Sequence, residues 1–209
     1  MRLSISPRGE VRVSMPFWLP YKAGEQFARS KMDWILNHQA KSVSSQLEHG
    51  QSIGKAHRLH FEMQHSAMRV STRLASNEVR IMHPASLPAS DPSVQRAARS
   101  ASIRALRKEA EQLLPQRLQT LSARTGLGYR EVGVKSLKSR WGSCSSTKDI
   151  TLNLFLMQLP WHLIDYVLVH ELTHTKVMRH GKPFWDELER HIPTAKQLRK
   201  EINQYQPIL

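Results

Sequence analysis

The sequence predicts an α+β fold, and three observations carry that prediction. Short segments of alternating apolar and polar residues recur through the first 83 positions. A long stretch with apolar residues at helical spacing begins at Ser93. A second group of alternating segments then leads into an apolar helix, with Pro160 in its first turn and Leu163, Ile164, Val167 and Leu168 along it, that ends His-Glu-Leu-Thr-His at His174. A period of two marks strands and a period of 3.6 marks helices. The chain therefore reads as a small β-rich N-terminal part followed by a mixed domain that carries the histidine helix.

The elements follow in order. Leu3-Ser-Ile-Ser and Val11-Arg-Val-Ser flank Pro7-Arg8-Gly9-Glu10, the pattern of a β-hairpin. Phe27, Lys31, Trp34, Ile35 and His38 fall on or near one stripe, which predicts an amphipathic helix over 25–38 with Trp34 in a core. Residues 41–55, rich in Ser, Gln and Gly, read as a loop. Three alternating runs, from His57, Met68 and Glu78, predict a small antiparallel sheet with a turn at Asn77. His57, His60 and His65 sit on those strands or at a turn and are expected to be solvated.

The three prolines within 84–92 mark a boundary between 1–83 and 93–209, with packing of both parts as one compact unit the alternative. From Val94 to Leu121 the pattern is helical, with Pro115 expected to kink or divide the helix and Gly126 and Gly128 to end it. Arginines and lysines crowd its polar faces. Val132 to Lys138 and Ile150 to Leu154 read as strands bordering the histidine helix. An edge strand there would hold an extended peptide by main-chain pairing. Cys144, between those strands, reads as a packed thiol rather than a nucleophile.

On a helix, His170 and His174 lie about 40° apart and one turn along, so both imidazoles reach one cation. Glu171 stands about a quarter-turn away, near enough to serve as a base without being a ligand. This arrangement suits metal-dependent hydrolysis: two fixed nitrogens, a carboxylate base and an open coordination position. A catalytic zinc usually takes three protein ligands. On one unbroken helix His180 would lie about 15 Å from His170 along the axis, so the helix must stop and turn back. Gly181 and Pro183 supply stop signals. The geometry favours His180 as third ligand, with Glu187 and Glu189 as rivals if a second helix provides it.

A chain of 209 residues, 40% hydrophobic, can bury a substantial core. Its single cysteine excludes an internal disulfide and a cysteine-rich cluster. Met1 to Pro16 lacks the apolar core of a signal peptide, and the most apolar run, 152–169, is interrupted by polar residues and Pro160. A cytoplasmic protein, without a membrane span, is expected. Thirty-one Lys+Arg against 17 Asp+Glu give +14, which adds nucleic acid to the candidate partners.

With these residues in view, the chain resembles the YgjP-like family of metal-dependent hydrolases, zincin-fold relatives of the SprT proteins. The likeness rests on Arg140-Trp141-Gly142-Ser143-Cys144, Ile150-Thr-Leu-Asn153, Tyr166 to His174, His180 and Phe184-Trp185. It extends to the N-terminal hairpin ending at Met15-Pro16 and to Trp34-Ile35. The resemblance implies zinc held by His170, His174 and His180, with Glu171 as base, in a zincin-like C-terminal domain. Thr173 and Arg179 depart from the family pattern, which usually shows a small residue and Asn there. The resulting expectation is a zinc metallopeptidase acting on a peptide or protein, with Arg140 or His162 stabilising the oxyanion. Two alternatives stand beside it: a UTP-type nucleotide pyrophosphatase, and a SprT-like protein guided by nucleic acid.

Overall fold

The computed structural model describes residues 1–5, 11–36 and 46–205. The chain forms two compact units, Met1–Gln46 and Leu47–Leu209. The division falls at Gln46, not within 84–92, so residues 47–83 belong to the same unit as the histidine helix.

In the first unit, strands β1 (Arg2–Ile5) and β2 (Val11–Ser14) pair antiparallel with Leu3 opposite Val13. The expected hairpin is present, and its turn lies outside the described residues. The next helix, α1, spans Tyr21–Arg29. It starts four residues before the predicted position, directly after Pro20, whose fixed φ suits the residue preceding a first turn. Helical backbone resumes over 32–36, so the predicted helix is two pieces, and its last two residues lie outside those described. Ile35 is buried, whereas Trp34 is 40% exposed and is not the core residue its spacing suggested.

The second unit is built around α2 (Pro92–Thr125), a helix of 34 residues and about 50 Å. Asp91 caps it by accepting the Ser93 N–H at 2.8 Å, Pro92 occupies the first turn, and Gly126 ends it at φ 71°. The helix runs unbroken through Pro115. Proline removes one backbone bond, to Glu111, which lies on the exposed side.

Each half of α2 covers a different sheet. Its first half carries Val94, Ala98, Ala101 and Ala105, small or short residues that let strands pack closely. Against it lie β4 (Ser71–Leu74) and β5 (Glu78–Pro84), which form a sheet with β3 (Arg58–Gln64) in the order β3-β5-β4. The sheet is mixed rather than antiparallel: β4 and β5 form the hairpin expected at Asn77, but β3 runs parallel to β5. Strand β5 takes the centre, with Val79 and Ile81 fully buried.

The second half of α2, with Leu114, Leu118 and Leu121 buried, contacts β6 (Glu131–Lys135), a 3-10 turn (Leu154–Gln158) and α3 (Trp161–His174). Strand β6 belongs to a second mixed sheet with β7 (Gly142–Cys144) and β8 (Asp149–Asn153), in the order β6-β8-β7. Helices α4 (Lys182–His191) and α5 (Ala195–Ile202) then pack on α3. Among the described residues no helix is long and apolar enough to cross a membrane.

His57 overturns the expectation of a solvated strand histidine, being only 3% exposed. Its Nδ1 lies 2.5 Å from Glu109 of α2, and Glu109 also accepts the N–H groups of Lys55, Ala56 and His57 at 2.6–3.0 Å. Burial alone would raise the Glu109 carboxyl; the His57 ring and these N–H donors outweigh it and hold the group below its usual range. The pair thus ties the start of β3 to α2. Replacing Glu109 by Gln should destabilise the fold by about 3 kcal/mol, because four donors lose a charged acceptor in a buried place. Urea unfolding measures this directly. Since folding lowers this carboxyl, its stabilisation is complete above the ordinary value of 4.5 and is lost as pH falls below it. Acid should therefore narrow the gap between wild type and Glu109→Gln.

Candidate active site

Helix α3 carries the first two histidines out of the core. Leu163, Ile164, Val167, Leu168 and Leu172 bury it on most sides. The helix ends at His174, and the N–H groups of Thr175, Lys176 and Val177 close its last turn on Leu172 and Thr173. Gly181 and Pro183 do not make this stop, contrary to expectation. They open α4, where Gly181 is extended and Pro183 sits in the first turn. The loop between, 175–181, turns the chain back towards α3.

That return places His180 Nε2 3.0 Å from His170 Nε2 and 3.1 Å from His174 Nε2. Phe184, fully buried, packs beneath all three imidazoles with centroid distances of 4.6–4.8 Å, which restricts their rotamers. The rivals for the third ligand are occupied elsewhere. Glu187 binds Lys176 at 2.8 Å and Arg190 at 3.0 Å, fastening the returning loop to α4, and Glu189 binds Lys196 at 2.7 Å.

The donor set fits a divalent cation. Three nitrogens converge, and the His174 Nδ1–H can donate to the Val177 carbonyl at 3.2 Å, which leaves its Nε2 lone pair for a metal. Burial, with the neighbouring His174 and His180, holds His170 down to about 3, and burial also lowers His174 and His180. All three are thus neutral near pH 7, the form that ligates. Glu171 is buried beside them, and among the described residues its Oε2 has no hydrogen-bond partner. A buried carboxylate oxygen without a donor marks a place built for another group. Burial pushes the Glu171 carboxyl up to about 8 while Arg140 opposes the rise.

The opposite wall is β7. Gly142, Ser143 and Cys144 pair antiparallel with Leu152, Thr151 and Ile150 of β8. A Cβ on Gly142 would stand 2.7 Å from Glu171 Oε1 and 2.8 Å from its Cγ, so only glycine lets the strand pass so close to the carboxylate. Asn153, 2% exposed, fixes the approach to this strand: its Nδ2 donates to the carbonyls of Leu137 at 2.9 Å and Arg140 at 2.8 Å. A cavity of about 490 Å³ lies between strand and helix, with Arg140 and Tyr166 among its walls. Cys144 lines it too, and burial, with Glu171 and Asp149, raises its thiol to about 11, so it is protonated and no nucleophile. His162 stands outside the cavity, bound to Glu201 at 2.8 Å, and drops out as an oxyanion partner.

Sequence reasoning overlooked several of these roles. Tyr166 was legible in principle, since it lies four residues before His170 on the same helix face. The roles of Gly142, Asn153 and Phe184 depend on contacts between elements, which spacing along one element does not reveal.

A family model described as YgjP-like, metallopeptidase domain, matches residues 1–205. The chain belongs to the YgjP-like family. It is accordingly an α+β metal-dependent peptidase domain of zincin-like fold with a small N-terminal β part. The YgjP-like chain is also similar to two solved archaeal structures. One is the metallopeptidase zymogen of Pyrococcus abyssi abylysin, 26% identical over 44% of this chain and 93% of that one, TM-score 0.41. The other is the metallopeptidase zymogen of Methanocaldococcus jannaschii jannalysin, 23% identical over 43% and 93%, TM-score 0.38. No curated protein matches it.

Gly142→Ala tests the close approach. The added methyl must displace the Glu171 carboxylate, so peptide hydrolysis should fall about a hundredfold while the metal content is unchanged. Unaltered turnover would show that the carboxylate tolerates the shift.

Proposed function

We propose that this YgjP-like chain is a zinc-dependent peptidase, with His170, His174 and His180 holding the ion and Glu171 as general base. The observation that carries the peptide reading is the edge of β7. The Trp141 carbonyl accepts the Asn153 N–H, and the Ser145 N–H donates to the Asp149 carbonyl, both at 2.9 Å. Antiparallel alternation then turns the N–H and C=O of Gly142 and Cys144 away from β8, towards an open edge beside the histidines. An extended peptide laid there gains main-chain pairing. A nucleoside triphosphate has no main chain to pair, so the edge favours peptide over nucleotide.

When bound, zinc supplies Lewis acidity to the scissile carbonyl and the attacking water. Glu171, buried beside the histidines with no hydrogen-bond partner for its Oε2 among the described residues, takes the water's proton and passes it to the leaving amine. Arg140, held at the cavity wall by Asn153, offers its guanidinium to the developing oxyanion. The single free cysteine suits a reducing compartment, and we place the enzyme in the cytoplasm.

Elemental mass spectrometry and peptide hydrolysis together test this reading. Wild type should carry close to one zinc per chain, His180→Ala should lose it, and Glu171→Gln should keep it with hydrolysis lowered about a thousandfold. Zinc retained by His180→Ala, or full activity in Glu171→Gln, would overturn the assignment.

The charge of +14 favours one addition, that nucleic acid brings the enzyme to its substrates. Binding of double-stranded DNA should then weaken by orders of magnitude between about 50 and 200 mM salt. Weak binding indifferent to salt would remove the addition.

A further inference from the structure

Most cations around the metal centre are neutralised. Lys176, Lys182, Arg190 and Lys196 pair with Glu187, Asp186, Glu187 and Glu189 at 2.7–3.0 Å. Arg199 differs: among the described residues it pairs with no carboxylate. Its Cζ lies 4.9 Å from the Trp185 ring centroid, and Trp185 lies 6.5 Å from His180, ring to ring. Arg199 also stands three residues before Ile202 on α5, hence on the same helix face, and Ile202 lines the cavity. Its charge is felt at Tyr166, His170 and His180, whereas Arg140 acts on Glu171. The guanidinium thus lies outside the cavity's own lining but within electrostatic reach of its His170–His180 side, held over Trp185 by an aromatic platform rather than by an acid.

A guanidinium stacked on an indole keeps its N–H fork open for a bidentate carboxylate. We propose that Arg199 is a specificity residue that selects peptides with a carboxylate close to the scissile bond. This rests on the peptidase reading above. The carboxylate has two sources, an Asp or Glu side chain or the free C-terminus of a short peptide, and both present the same two oxygens.

Quenched fluorogenic peptides separate these sources. One set varies Glu against Gln at each position flanking the cleaved bond, with both termini blocked. A second carries only neutral side chains, with the C-terminus free or amidated. Wild type should prefer the acidic member of at least one set by about tenfold in kcat/KM. Arg199→Gln should bring that ratio close to one, and Arg199→Glu should favour Lys-containing peptides, a reversal that a merely structural role would not produce. Equal cleavage by wild type, or an unchanged ratio in Arg199→Gln, overturns the inference. Anisotropy binding of the same peptides to Glu171→Gln needs no turnover and keeps the two readings apart. If wild type cleaves no peptide, the peptidase reading fails, and the inference fails too unless the acidic members bind Glu171→Gln more tightly.

Discussion

An α-helix can offer one cation two side chains one turn apart, and the third must come from elsewhere. Much of the site follows from that constraint. The helix stops at the second histidine, the chain reverses through seven residues, and a new helix opens with glycine and proline so that the loop has a fixed end. Phe184, two residues into that helix, then fills the space beneath the converged rings. The Glu187–Lys176 ion pair holds the reversal against α4.

The same site sets burial against solvation. Burial keeps the three imidazoles neutral, the form that can ligate, and it raises the neighbouring Glu171 carboxyl. Arg140 opposes the second effect. The strand opposite must come close enough to shield Glu171 without touching it. Gly142 meets that need by having no side chain, and Asn153 meets it by anchoring the loop that delivers the strand.

The motif, the long helix and most strands were readable along the chain because each rests on local spacing. What was not readable depends on partners distant in sequence. Alternation identified β3, β4 and β5 as strands but carries no information on their order, so the parallel β3–β5 pairing was invisible. His57 looks like any strand histidine until Glu109, 52 residues later, is brought to its ring. Gly181 and Pro183 signal a helix end in either direction, and only the fold shows that they begin one. The prolines at 84–92 suggested a boundary because turn chemistry punctuates linkers and tight connections alike.

The 34-residue helix bears on that last point. One sheet takes its apolar cover from the first half of α2, and the other sheet's β6 packs on the second half with the histidine helix. Neither half can lose its helix without stripping the other of cover. The second unit is therefore expected to melt as one cooperative body, and damage far from the three histidines, such as loss of the Glu109 anchor, lowers the temperature at which their cluster comes apart.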